Sequence, residues 1–436
     1  MSSLTIGLVG IAALVVLFAL RLPIGLVLGG VSFFGIWTLT SFRTAFGAVK
    51  SIPYEFSASW SLTAIPMFLL MGAIIHRSGI TEQLFRAARL WLNRLPGGLA
   101  VATNFASAGF AAASGSSLAT ATAMARIAVP EMLRYRYDPG LAAGVVASAG
   151  TLGALIPPSV MFVLYGVFAE ESITDLMLAG TVPGILTALV YAAMIILRCK
   201  RNPSLAPRSD EVVPLGERLR ALAGIWPLPF LIIGVIGGIY SGVVSATEAG
   251  AYGAFLALIA AVLTGRFRWR MIGEAFLEAA LNTANIFFIA IGAALLTRFV
   301  VLAGIPFAIS DLIDALPGGV VPLFVLMAVV YLAAGMFLDP IGIMLITIPL
   351  FVPTFHQMGL DGVLMGVVVV KFLEVGLLTP PVGLNVFAVK ASIDDAIPIT
   401  TIFRGVAWFL VCEAIIITLL LAFPAISLTL PALSGH

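Results

Sequence analysis

The chain has 436 residues, of which 61% are hydrophobic and only 10% are charged, and its mean hydropathy is +1.13. Because soluble domains carry about 25% charged residues, this composition predicts an integral membrane protein. The net charge of +2 argues against a nucleic-acid-binding surface, and two cysteines, Cys199 and Cys412, are too few for a disulfide framework or a cysteine-based metal site.

The first half of the chain contains long apolar runs, which favour membrane-spanning α-helices over short alternating strands. These runs lie at 4–20, 22–39, 59–75 and 174–197. We interpret the first run as a retained helix, since no basic residue precedes it and no clear cleavage site follows it. A polar, partly amphipathic connection occupies 43–56. Residues 81–95 alternate apolar residues and arginines at helical spacing, which predicts an interfacial arm helix.

A re-entrant helical hairpin is predicted at 97–134. Its two arms have about 16 residues each, too short for a full span, and they meet at the Ser-Gly-Ser-Ser sequence 114–117. A broken helix follows at 138–168, because Pro157 and Pro158 remove backbone donors and disfavour helical geometry before them. In lipid such a break is tolerated only where protein or a cavity receives the freed carbonyls.

The second half repeats this plan after a polar linker at 199–220. We predict repeat 1 at 1–198 and repeat 2 at 221–436. The second half has predicted spans at 221–240, 243–263, 281–302 and 396–424, with an amphipathic stretch at 266–278. Its predicted hairpin covers 318–357 with a tip at Asp339, and its predicted broken helix covers 361–390.

A constant offset of 223 residues relates the two halves. It matches Ser116 with Asp339, and it matches the proline pair at 157–158 with the pair at 380–381. Two broken helices at corresponding places indicate the binding site of a transporter. Arginines such as Arg77 and those of the linker predict a cytoplasmic face, whereas 299–370 contains no lysine or arginine. The fold class is therefore an all-α polytopic membrane protein with two inverted-topology repeats and both termini outside.

The chemistry of the predicted tips centres on oxygen ligands. Asp339 followed by Pro340 fits a helix N-cap, and the serines at 114–117 can cap in the same way. Capping alone is one explanation of these residues. A carboxylate in the hydrocarbon layer is however a functional-site hypothesis by default, and hard cations prefer carboxylates, hydroxyls and bare carbonyls. The residues leave open whether the coupling cation is Na⁺ or a proton.

Five sequence motifs resemble the large membrane subunit of tripartite ATP-independent periplasmic (TRAP) transporters, the DctM family. They lie at 114–120, 137–139, 150–159, 335–339 and 376–383. The resemblance covers essentially the whole chain. It implies a multi-pass protein of the bacterial inner membrane, with a fold like the ion-transporter superfamily, that imports an organic acid with Na⁺ by an elevator motion. It also implies a small four-helix membrane subunit and a periplasmic substrate-binding protein as partners.

The same resemblance implies two Na⁺ sites, one in each half. The first would use Ser114, Ser116 and the carbonyls of Gly153, Ile156 and Pro158, and the second would use Asp339, Gly376, Thr379 and Pro381. Arg126 departs from the family pattern, in which glycine is frequent at that position. The organic acid itself is therefore left open.

Several other polar residues receive structural interpretations. Lys371 and Glu374 lie three residues apart and are expected to pair with each other. Asn104 and Asn385 are expected to make helix–helix hydrogen bonds rather than face the site. Cys199, beside basic residues, is expected on a solvated edge.

Other functions fit the sequence less well. An intramembrane hydrolase would need a histidine placed as a base near Ser114, and no histidine is suitably placed, so we expect no enzyme activity and no catalytic residue. A channel would not need two breaks and two hairpins. A primary pump would need a phosphate-binding loop, and that motif does not occur. The remaining alternative is a secondary anion transporter of the same superfamily that works without a binding protein.

Overall fold

The computed structural model describes residues 2–20, 22–207, 213–336, 338–393 and 397–434. Three internal stretches of the predictions lie outside this set. They are 208–212 in the predicted linker, 337 in the second predicted hairpin, and 394–396, of which 396 begins the predicted final span. The described residues form α-helices joined by short turns and 3₁₀ segments, and none of them forms a strand.

The helices of the first half are α1 to α10. Their bounds are α1 Ser3–Ala19, α2 Ile24–Leu39, α3 Phe42–Ser57, α4 Ala64–Arg77, α5 Ile80–Leu92, α6 Gly98–Ser114, α7 Ser117–Arg134, α8 Pro139–Gly150, α9 Val160–Ala169 and α10 Ile173–Arg201. The polar connection predicted at 43–56 is thus helical, as α3. The predicted arm helix is α5.

The helices of the second half are α11 to α21. Their bounds are α11 Leu215–Gly224, α12 Pro227–Tyr240, α13 Ala249–Leu263, α14 Trp269–Ala303, α15 Ile305–Asp314, α16 Val321–Gly335, α17 Pro340–Gln357, α18 Gly362–Gly376, α19 Leu384–Ser392, α20 Ile399–Ala422 and α21 Ala425–Ser434. By length and hydropathy alone, five spans among the described helices could cross a membrane, and α11 with α12, bent by 46°, could supply a sixth.

One element differs from the expectation. The amphipathic stretch 266–278 and the span 281–302 were expected as separate elements, but α14 runs through both as one helix of 35 residues. The sequence between them contains no proline or glycine, so nothing breaks the backbone hydrogen bonding there.

The helix boundaries repeat at the expected offset. The first residues of α7 and α17 are 223 positions apart, and so are those of α8 and α18. The caps repeat as well: Asp138 Oδ1 accepts the N–H of Leu141 at 2.8 Å, and Asp361 Oδ1 accepts the N–H of Leu364 at 2.8 Å. The limits of the two repeats and their inverted orientation in the membrane stay predictions.

The helices pack into two groups. In one, α14 packs along α2 and α4, and α4 packs against α13. A compact core that includes Leu28, Leu296 and Phe299 joins α2 to α14. In the other, α8 packs between α7 and α20, and α18 packs against α16 and α17. The broken helices therefore lie inside the second group, where α8 and α18 are almost wholly buried.

Several ion pairs near the surface join helices that are distant in sequence. Arg77 forms ion pairs with Glu274 at 2.5 Å and with Glu278 at 2.8 Å. Arg89 of α5 pairs with Glu131 near the end of α7. Two of the arginines that the sequence assigns to one face, Arg77 and Arg89, thus each connect helices from separate parts of the chain. Which face of the membrane they occupy stays a prediction.

Candidate functional site

The first hairpin tip is built from glycine and serine. Helix α6 ends at Ser114, and Gly115 turns the chain with a left-handed φ of +62°, which suits glycine. The side chain of Ser116 accepts the N–H of Ala119 at 3.4 Å and so caps α7. The hydroxyls of Ser114 and Thr120 are 3.0 Å apart. This tip therefore holds several hydroxyl oxygens beside a helix N-terminus.

The second tip has a carboxylate in the matching place. Both carboxylate oxygens of Asp339 accept the N–H of Gly342 at 3.1 Å, so Asp339 caps α17 as the sequence predicts. One N–H does not use all acceptor positions of a carboxylate, which has about four. Capping and cation binding are therefore compatible at Asp339.

Both helix breaks occur at the predicted proline pairs. After α8, a 3₁₀ turn at Thr151–Ala154 leads into a loop, and α9 begins at Val160. After α18, a loop leads to α19. The bonds Pro157–Pro158 and Pro380–Pro381 are both cis.

The first break leaves backbone oxygens available. Within the described part of the chain, the carbonyls of Gly153, Ile156 and Pro158 accept no hydrogen bond. In contrast, the carbonyl of Ala154 accepts the Ser159 hydroxyl at 2.6 Å. Bare carbonyls inside a membrane protein suit a cation or ordered water.

Close packing joins each tip to the break of its own half. A Cβ placed on Gly153 would lie 3.0 Å from the carbonyl carbon of Ser116, and one on Gly115 would lie 3.1 Å from the carbonyl oxygen of Pro158. In the second half, a Cβ on Gly335 would lie 2.6 Å from the Cα of Gly376. A Cβ at Gly335 would clash with the backbone of Gly376, and a Cβ at Gly153 or Gly115 would force a small shift of the tip relative to the break.

The remaining predicted ligands differ in whether they already take part in hydrogen bonds. Thr379 donates its hydroxyl to the carbonyl of Val375 at 2.8 Å, and its N–H reaches the carbonyl of Gly376 at 3.2 Å. The carbonyl of Pro381 accepts no hydrogen bond from the described residues. The side chain of Ile156 is directed toward Gly184 of α10, which leaves only its backbone available to a ligand.

A cavity of about 270 Å³ lies where the two tips meet. Of the residues predicted as ligands, Ser116 and Asp339 line it, together with Leu377 directly after Gly376. Ser117 and Pro340, the first residues of α7 and α17, line it too, so two helix N-termini with their partial positive charge border one space. No lysine, arginine or histidine is among its described lining residues.

Sequence reasoning missed two residues of this cavity, Asn282 and Asn285. Both line it from α14, and both are exposed. They lie near the middle of the 35-residue helix. The continuous helix is the signal that could have revealed them, because polar side chains at the centre of an apolar span indicate function.

A buried charged cluster lies behind the second break, and it corrects the predicted pairing. Lys371 forms its ion pair with Glu413 of α20 at 2.5 Å and not with Glu374. Tyr191 donates its hydroxyl to Glu413. Glu374 instead accepts the hydroxyl of Ser117 at 2.8 Å. The broken helix of the second half is therefore bonded directly to the tip of the first.

The other structural interpretations have mixed outcomes. Asn104 donates to the carbonyl of Ala188 at 2.8 Å, and Asn385 donates to that of Ala147 at 3.2 Å, which confirms both helix–helix hydrogen bonds. Cys199 is buried, so its expected place on a solvated edge is wrong. Arg126 is exposed and does not line the cavity.

Comparison with known proteins gives a consistent result. Residues 11–426 match the family model described as the tripartite ATP-independent periplasmic transporter, DctM component. The C4-dicarboxylate TRAP transporter large permease protein DctM of Pseudomonas aeruginosa is 36% identical over 87% of this chain and 88% of that protein. The sialic acid TRAP transporter large permease protein SiaM of Vibrio cholerae is 31% identical over 86% of this chain and 87% of that protein.

The fold also resembles a solved structure. The YdaH transporter of Alcanivorax borkumensis superposes with a TM-score of 0.61, covering 88% of this chain and 89% of that one. The two sequences are 16% identical, so the likeness concerns the fold alone.

Proposed function

The chain belongs to the DctM family of tripartite ATP-independent periplasmic transporters, and on that basis we propose that it imports an organic acid together with sodium ions. It is a large permease subunit of the inner membrane and not an enzyme. The sodium coupling, the type of substrate and the movement that carries it belong to the proposal.

One observation carries the proposal: two capped hairpin tips share a cavity lined by the carboxylate of Asp339 and the hydroxyls of Ser116 and Ser117. Carboxylate, hydroxyl and carbonyl oxygens are the ligands of hard cations. The tips and the bare carbonyls of the breaks provide this set. The donor chemistry therefore fits Na⁺ better than a transition metal, which would favour imidazole or thiolate ligands.

Charge balance supports a coupled cation. An ionised Asp339 and an anionic substrate would repel each other in a cavity whose described lining has no basic side chain. The N-termini of α7 and α17 offset part of this charge. A bound Na⁺ would supply the remaining positive charge, so substrate binding would depend on the ion.

We assign the ligands as one set for each half. For the first site they are the hydroxyls of Ser114 and Ser116 with the carbonyls of Gly153, Ile156 and Pro158. For the second site they are Asp339, Gly376, Thr379 and Pro381. The contacts of Gly153 with Ser116 and of Gly376 with Gly335 support this assignment, because each holds a break against its tip.

An elevator motion would carry the site across the membrane. In this proposal the hairpins and broken helices move together, and the group of α2, α4, α13 and α14 stays fixed. The tight packing of α2 on α14, with a core that includes Leu28, Leu296 and Phe299, supports a fixed part built on these two helices. In an elevator motion the moving helices slide against a second group of helices that keeps its own packing.

The partners and the substrate follow from the family. TRAP large permeases work with a small membrane subunit and a periplasmic binding protein, as the name of the family implies. We propose a four-helix small subunit here. Because the relatives are named for C4-dicarboxylates and sialic acid, we propose an organic acid as the substrate.

Reconstitution tests the dependence on partners. The chain is placed in liposomes with the small subunit and the binding protein, and uptake of radiolabelled acids is measured with and without each partner. We expect uptake only with all three. Robust uptake by the chain alone would instead support a secondary anion transporter that needs no binding protein.

A further inference from the structure

We propose that Asn282 and Asn285 form a fixed polar wall of the substrate site and bind the carboxylate or hydroxyl groups of the transported acid. This inference rests on the proposed function. It adds residues from α14 that belong to neither hairpin and to neither set of ion ligands.

The position of the two residues is unusual for asparagine. They lie three residues apart, so their side chains leave α14 on the same face. The helix spans about 50 Å at 1.5 Å per residue, and the pair lies near its centre. An amide in the apolar region of a membrane protein costs free energy unless it finds a hydrogen-bond partner or water.

Neither side chain has a hydrogen-bond partner among the described residues. The comparison with Asn104 and Asn385 is informative, because each of these buried amides donates to a carbonyl on another helix. Asn104 and Asn385 thus join helices, whereas Asn282 and Asn285 border the cavity with their donors and acceptors available. Amide donors and acceptors that border a cavity without a protein partner point to binding of a ligand rather than to a packing role.

The chemistry of the amides matches an organic acid. Each asparagine offers two N–H donors and one carbonyl acceptor, which suits carboxylates and hydroxyls alike. The cavity offers no cationic side chain among its described lining residues, so neutral donors must orient the anion. Recognition by amides also accommodates different acids more readily than a bidentate arginine does.

The location on α14 adds a dependence on conformation. Helix α14 packs along α2 and α4 and also against α17, which begins at the second tip, whereas α8 and α18 lie in the other group. If the hairpins move relative to α14, the asparagines lose contact with the substrate. The pair would therefore contribute to binding in the conformation seen here and not after translocation.

The test compares Asn282→Ala and Asn285→Ala with Thr283→Ala. Thr283 lies between them, does not line the cavity, and donates its hydroxyl to the carbonyl of Ala279 at 2.7 Å. Uptake of succinate and of N-acetylneuraminate is measured in liposomes that contain both partners, and the acid that the wild type imports is used for the variants. We expect KM to rise about tenfold or more in each asparagine variant, as for the loss of a hydrogen bond to a charged group. Thr283→Ala should keep the wild-type KM.

A second measurement does not depend on transport. Asn285→Cys should react with a small water-soluble thiol reagent much faster than Thr283→Cys, and the native Cys199 and Cys412 are buried. Equal reaction rates, or an unchanged KM in both asparagine variants of a sodium-dependent transporter, would overturn the inference. Failure of the wild type to import any acid with Na⁺ would instead contradict the proposed function, and the inference would fall with it.

Discussion

The two halves of the chain share helix boundaries but not charge. At the first tip Ser116 caps α7 through a hydroxyl, and at the second Asp339 caps α17 through a carboxylate. The same contrast continues in the broken helices. Ser148 and Thr151 of the first half occupy the positions that Lys371 and Glu374 occupy in the second. The repeated geometry therefore presents two chemically different tips, and the carboxylate lies at the second.

The first tip nevertheless has a carboxylate nearby, supplied by the other half. Ser117 donates to Glu374, which lies two residues before Gly376. The second tip has no equivalent contact, because Pro340 occupies the position that matches Ser117. Among the described residues, the hydrogen bond from Ser117 to Glu374 thus connects the first tip to the second break, and the second tip shows no matching bond to the first break.

Cysteine labelling tests whether the two halves are inverted, and its expected effect is all or none. Arg134→Cys and Gln357→Cys place reporters at exposed, matching ends of α7 and α17. We expect the first to react only from the cytoplasm and the second only from outside. Native Cys199 and Cys412 are buried and should give little background. Reaction of both reporters from the same side would contradict the inverted arrangement.

Lys371→Met tests the charged cluster of the second half. The variant leaves Glu413 buried without its cation, so we expect a loss of about 3–5 kcal/mol in stability. Thermal unfolding in detergent measures it. Lys371→Met combined with Glu413→Gln should recover much of the loss. Ser148→Ala, at the matching position of the first half, should change stability little. If Ser148→Ala lost as much stability as Lys371→Met, the charged cluster would not distinguish the second broken helix from the first.

Asp339→Asn makes the second tip resemble the first by removing its charge. Asparagine keeps the cap, so folding should be nearly normal. We expect the Na⁺ concentration for half-maximal uptake to rise about tenfold or more, equivalent to about 1.4 kcal/mol. Asp361→Asn is the matched control, because Asp361 caps α18 and does not line the cavity. If Asp339→Asn left the Na⁺ curve unchanged, Asp339 would only be a cap.

Ser116→Ala should have the smallest effect. It removes one neutral ligand from the proposed first site, so we expect a shift of about twofold to threefold in the Na⁺ curve. It also removes a cap, and Ser172→Ala controls for that loss because Ser172 caps α10 by accepting the N–H of Asp175 at 3.2 Å. A larger shift for Ser116→Ala than for Asp339→Asn would reverse the assigned difference between the sites.

The sequence predicted those parts of the structure that depend on local chemistry. The breaks at the proline pairs and the caps at Ser116 and Asp339 follow from residues only a few positions apart. The pairing of Lys371 with Glu413 could not be predicted, because it depends on how α18 packs against α20. The nearest acidic residue along the helix, Glu374, was the wrong partner.

The cavity illustrates the same limit. Asp339 was identified from sequence because a carboxylate within an apolar stretch is conspicuous. Asn282 and Asn285 were missed because their segment was divided into an amphipathic piece and a span, which placed them near a helix end. Only the continuous α14 and its position beside the tips show that both residues face the cavity.

Uptake driven by an ion gradient tests the central claim most directly. Proteoliposomes with the chain and both partners are loaded with potassium buffer, diluted into sodium or potassium medium of equal strength, and supplied with radiolabelled acid on the binding protein. We predict that the acid accumulates above its external concentration only with an inward Na⁺ gradient, and that Asp339→Asn weakens this accumulation at low Na⁺. Equal accumulation in potassium medium would contradict sodium-coupled transport.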